Sequence, residues 1–175
     1  MKQCLQTKIA VLGLGDSIKR FKGGIASIGV NDIYKYHKVN YLVCVDKPKG
    51  FKPERLQVIR NSTPVLFFSH LIDWSFMESY HKIELSKHRG YIDDIETHYP
   101  YSNNSTYCAL AIAYKLGFKD IEMYGVDFTN HAHINGGILD NSIKHFIELN
   151  KFFMKKGVSL RVTRESILSN YIKSL

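Results

Sequence analysis

Residues able to hold a phosphate or move a proton cluster at the ends of apolar runs in this chain. Lys8–Gly13 (KIAVLG) reads as a buried parallel strand and runs into Gly13, Gly15, Asp16 and Ser17. Glycines at a strand end let the backbone turn tightly and approach a phosphate, with the following amides pointing at it. The same spacing also serves a tight turn with no ligand. The third glycine of a dinucleotide fingerprint is missing, as is the GK[ST] ending of a P-loop. Two further runs, ASIGVN and NYLVCVD, end in Asn31 and Asp46. Strands with polar carboxyl ends fit a shared crevice, although Asn and Asp also begin turns. The stretch Ser102–Phe128 adds a helix start, capped by Asn103, Asn104 or Ser105, that brings Ser105 and Thr106 to a site of free amides. The strand after that helix ends at Asp127. His131 and His133 follow in a loop, where an imidazole suits proton abstraction from a hydroxyl. Tyr99 or Tyr101 would be a phenolic donor to a leaving group.

The elements that must position these groups alternate. Strands are expected over 8–13, 26–31, 40–46, 64–69, 121–128 and 158–162. Helices are expected over 106–116 and 141–156, with shorter ones at 54–60 and 163–175 and a weak helical segment after Gly15. Gly117 and Gly157 stand where left-handed helix ends are expected. Residues 80–101 are the least regular part, rich in His and Tyr, and are read as a lid or substrate segment or else a surface excursion with one or two small strands. The alternation predicts an α/β fold: a Rossmann-like three-layer α/β/α arrangement with a mostly parallel sheet, in one domain spanning 1–175.

The 24 Lys and Arg against 16 Asp and Glu give a formal charge of +8, which favours anionic partners: nucleotide phosphates, acidic glycans or nucleic acid. The longest apolar runs are too short to span a bilayer and the N-terminus has no signal-peptide core, so a cytoplasmic protein without membrane association is expected. Cys4, Cys44 and Cys108 are odd in number and widely spaced, which argues against a disulfide framework or structural zinc. His131 and His133 alone are weak metal ligands, and no Asp-x-Asp pair is present, so no metal and no cofactor are expected.

Three segments, VLGLGDSIK, SIGVN and LGFKDIEMYGVDF, resemble the bacterial lipooligosaccharide sialyltransferases. They also resemble the related motility-accessory-factor glycosyltransferases and the hydroxymethylpterin diphosphokinase-like proteins. The resemblance implies that Gly13, Gly15 and Ser17 cradle the phosphates of a nucleotide-sugar donor. It further implies that Asn31 touches nucleotide or sugar, that Ser105 and Thr106 face the nucleotide, and that Asp127 closes the pocket. A histidine beyond the last block, here His131 or His133, would be the general base. Departures accompany it: Asp16 replaces the family's proline, and Ser102 stands near the position of an expected arginine. The function expected is sugar transfer from a nucleotide-sugar to a hydroxyl of a glycan or of a hydroxylated base in DNA. Two alternatives stand beside it. One is a magnesium-dependent diphosphokinase with Asp16, Asp46 and Asp127 as ligands. The other is a non-catalytic module that binds nucleotide or nucleic acid.

Overall fold

The short apolar runs assemble into one sheet. The computed structural model describes residues 7–128 and 138–175, with backbone alone over 138–141. Its strands are β1 (Lys8–Leu12), β2 (Ala26–Val30), β3 (Tyr41–Val43), β4 (Leu66–Ser69), β5 (Tyr80–Lys82), β6 (Asp120–Tyr124) and β7 (Ser159–Val162). All seven are parallel, in the order β5-β4-β3-β2-β1-β6-β7. The expected α/β sheet is therefore parallel throughout.

The two faces are covered unequally. Helices α2 (Ser105–Lys115) and α3 (Ile138–Lys155) lie on one face, over Ile9, Val11, Ile28, Ile121 and Met123. The other face carries the short helix α1 (Pro53–Arg60) and several single turns of 3-10 helix, packed over Leu12, Leu42, Phe67 and Trp74. On that face β6 shows Asp120, Glu122 and Tyr124, and an ionic lattice forms there. Arg161 donates to Asp120 at 2.9 Å and to Glu122 at 2.9 Å, and Lys8 donates to Glu122 at 3.0 Å. The strict alternation in DIEMY follows from this: one side faces helices, the other faces charge.

Three expectations shift. β5 (YHK) falls inside the segment read as a lid, because an edge strand with exposed polar side chains leaves no apolar run to see. The rest of that segment is anchored: Ser86 N donates to Tyr99 O at 3.0 Å, Gly90 N to Tyr101 O at 2.9 Å, and Ile83 and Ile95 are buried. The terminal helix is replaced by a 3-10 turn, Ile167–Asn170, and a return to the sheet through Val162 and Ser174. Ser166 caps that turn and also donates to Val126 O at 2.6 Å, the kind of local bonding by which serine competes with helix. The weak helical segment after Gly15 is a 3-10 turn, Asp16–Arg20.

Among the described residues no helix is long and apolar enough to cross a membrane. Cys44 and Cys108 are free and buried as expected of small core residues. Burial pushes the Cys108 thiol up to about 12 and raises Cys44 as well, so neither is a ready nucleophile.

Candidate functional site

The strand order fixes where a site can form. From β1 the chain builds outward to β5, then crosses back to place β6 on β1's other side, so the order reverses between β1 and β6. In open parallel sheets, ligands bind at the carboxyl rim near such a reversal. α2 enters β6 and packs over β1, β2 and β3, which brings its amino end to the same rim. Gly13, Gly15, Asn31, Asp46, Ser105, Thr106 and Asp127 thus all stand on one side of the sheet.

At the reversal itself the glycines serve backbone packing. The β1 ladder continues past the strand, with Gly13 N donating to Tyr124 O and Gly15 N to Gly125 O, both at 2.8 Å. A Cβ on Gly13 would lie 2.3 Å from Gly125 O, one on Gly125 would lie 2.4 Å from Gly13 O, and one on Gly15 would lie 2.6 Å from Asp127 Oδ2. Ser17 and Asp127 lock the two loops. Asp127 Oδ2 accepts from Ser17 N at 2.8 Å, and Asp127 Oδ1 accepts from the Ser17 hydroxyl. The same hydroxyl accepts from Gly125 N at 2.8 Å and from Thr163 Oγ1 at 2.9 Å. A serine hydroxyl has one proton and two lone pairs, so this one is fully occupied. Ser17 therefore has no capacity left to cradle a phosphate through its side chain, and Asp127, buried with both oxygens engaged, clamps the two loops together. Asp16, expected beside the phosphates, has an 86% exposed side chain 3.8 Å from Lys19.

The open polar groups lie along the ends of β2, β3 and β4. Asn31 adopts a left-handed φ of 53° that turns the chain away from β2, while its N–H donates to Val43 O at 3.0 Å. Its side-chain Oδ1 is buried and has no partner among the described residues. Asp46 follows β3, exposed, with its carbonyl held by Trp74 Nε1 at 2.9 Å. His70 follows β4 and was not among the residues singled out from sequence; its only signal was an imidazole directly after PVLFFS. Burial lowers its pKa, the charge of Asp46 opposes that, and its Nδ1 is buried without a partner among the described residues. Beside Asn31, Asp32 is tied to Arg55 Nε at 2.9 Å.

At the amino end of α2, Asn104 is the cap among the three candidates. Its Oδ1 accepts from Thr106 N at 3.0 Å and from Thr106 Oγ1 at 2.5 Å. Thr106 is therefore committed to the cap, and half-buried Ser105 is the residue of that turn nearer to solvent. Tyr101 lies under the Arg89 guanidinium, 5.9 Å from the ring centre. His131 and His133 lie outside the described residues. Among the described residues no group of three or more His, Cys, Asp or Glu could hold a metal ion. Of the acids named for magnesium, Asp127 is buried against Ser17 and Asp16 points to solvent, so they do not form a common ligand set.

No protein-family profile matches this chain, and no curated protein sequence does. Its fold is similar to that of solved sialyltransferases. One is the sialyltransferase CstII from Campylobacter jejuni in complex with a substrate analogue, CMP-3FNeuAc: 16% identity, 95% of this chain and 84% of that chain covered, TM-score 0.61. A second is the same enzyme with trisaccharide acceptor and CMP: 17% identity, 95% and 85% covered, TM-score 0.56. A third is a CstII F91Y mutant: 18% identity, 94% and 85% covered, TM-score 0.59. The family resemblance drawn from the three sequence segments thus holds at the level of fold.

Proposed function

We propose that this protein is a glycosyltransferase that moves a sugar from a nucleotide-activated donor, of the cytidine monophosphate type, to a hydroxyl acceptor. The observation that carries the reading is Asn31. A buried amide oxygen without a partner costs on the order of 1–3 kcal/mol. Asn31 Oδ1 is such an atom, on the sheet rim where α/β folds bind nucleotides. An exocyclic base amine or a sugar hydroxyl would satisfy it. The likeness in fold to an enzyme solved with CMP and a CMP-sugar analogue supports the choice of donor class.

In this reading the Ser105 end of α2 holds the leaving phosphate, whose growing charge the helix amides stabilise. The β1 loop contributes backbone rather than side chains, positioned by the Ser17–Asp127 clamp. Asp46 and His70 line the neighbouring strand ends and orient the donor sugar. The general base that takes the acceptor proton falls to His131 or His133. No cofactor is required, and the acceptor is a glycan hydroxyl. Incubation with a panel of nucleotide-sugars, followed by detection of released nucleotide, tests the proposal. Release from one nucleotide class, lost when both histidines become alanine, is expected; release from none in the presence of mixed glycan acceptors would refute it.

A further inference from the structure

A cleft of about 870 Å³ runs between residues 88–96 and α3, and neither Asn31, Asp46, His70 nor Ser105 is among the residues that line it. On the α3 side its wall is a stripe of Lys144, Glu148, Lys151 and Lys155. From His145 to Lys155 that wall is about 15 Å long at the α-helical rise. Among the described residues Lys144, Lys151 and Lys155 have no carboxylate at ion-pair distance, while Lys156 is paired with Glu96 at 3.5 Å. Arg89 adds a further charge at the opposite wall, and Tyr91 and Phe152 present rings to the cleft.

The floor at one end is left with open bonding capacity. Tyr107 is 0% exposed, yet among the described residues its hydroxyl has no partner, and neither does His145 Nδ1 beside it, the two rings being 6.0 Å apart. Glu148 lies close enough to the Tyr107 hydroxyl to reinforce the rise in its pKa that burial causes. Gly90, at φ 76°, closes directly over the imidazole: a Cβ there would come within 2.2 Å of the His145 ring. A small lift of that glycine turn would offer both polar atoms to a ligand hydroxyl.

We infer that this cleft is a further binding site, lined by residues other than those given to the transfer step, that holds an acidic oligosaccharide. The volume is that of a small-ligand site, about 300–1,000 Å³, and not of a face for a nucleic-acid duplex. Asp93 and Glu148 interrupt the positive wall. They would repel a continuous phosphate backbone, yet they accept hydrogen bonds from sugar hydroxyls, while the unpaired lysines take spaced carboxylates. Rings at the wall suit the apolar faces of pyranose units.

The site stands or falls independently of sugar transfer, because its test reads binding alone. Calorimetric titration would compare tetragalacturonate with neutral maltotetraose on the whole chain. The variants are K151A/K155A and, on the opposite face of the sheet, K22A/K38A. Tetragalacturonate is expected to bind, maltotetraose to bind far more weakly, and K151A/K155A to weaken the acidic ligand roughly tenfold, or about 1.4 kcal/mol. K22A/K38A is expected to leave it unchanged. No binding of tetragalacturonate, or equal weakening by both double variants, overturns the proposal. So does a short DNA duplex that competes for the same lysines with higher affinity.

Discussion

Replacing Ser17 by alanine separates a clamp from a ligand contact. The Ser17 hydroxyl joins Asp127 on the β6 side, Gly125 N and Thr163 Oγ1. Removing it strands the buried Gly125 N–H and one Asp127 oxygen, while the Thr163 hydroxyl is free to rotate. At about 1–3 kcal/mol for each of the two stranded buried groups, the expected loss is about 2–6 kcal/mol. For a chain of this size each kcal/mol shifts the melting temperature by about 2–4 °C, so a fall on the order of 10 °C is predicted. Urea unfolding followed by far-UV circular dichroism measures the free energy, and calorimetry the midpoint. Thr163→Val, which removes one donor and keeps the volume, should cost about 1 kcal/mol. If S17A unfolds like the parent chain but binds nucleotide more weakly, the hydroxyl serves the ligand and the clamp assignment is wrong.

The remaining expectations concern other parts of the fold. Tyr107→Phe removes an unpartnered buried hydroxyl and should leave stability unchanged or raise it by up to about 1 kcal/mol in urea unfolding; a clear loss would reveal a partner for that hydroxyl. Asn104→Ala removes the α2 cap and should cost about 1 kcal/mol by the same assay. His70 and His145 both have folded pKa values lowered by burial, so the unfolded chain binds more protons as pH falls through about 6.5. Stability should therefore drop from pH 7.5 toward 5.5 and level off below the folded values, and H70Q/H145Q should flatten that dependence. An unchanged slope in the double variant would assign the effect to other groups.

Much of the sheet was legible because buried parallel strands announce themselves as β-branched runs, as in KIAVLG and NYLVCVD. The small-residue helix and its cap were legible too, since Asn104 and Gly117 mark both ends of α2. β5 was legible only as one of the small strands allowed in an irregular segment, because an edge strand with exposed His81 and Lys82 has no apolar pattern to fix its place. The glycines carried two readings. Glycine at a strand end signals close approach, but a sequence does not say whether a phosphate or another backbone approaches. Here Gly13 and Gly15 meet Gly125 and Asp127. The same ambiguity covers Ser17 and Asp127, whose groups bond to each other across more than a hundred residues. His70 carried too little local pattern to be singled out; its significance comes from an unpartnered ring nitrogen, which is a tertiary fact.

The most direct test of the central claim is a calorimetric titration of cytidine, uridine, guanosine and adenosine mono- and diphosphates onto the parent chain and Asn31→Ala. The account predicts that one nucleotide class, of the cytidine monophosphate type, binds the parent. It also predicts that N31A weakens that binding roughly tenfold, with a stability loss limited to the cost of alanine at a left-handed φ, about 1 kcal/mol, since Oδ1 has no partner among the described residues to lose. Absence of binding by every nucleotide, or equal binding by N31A, would contradict it.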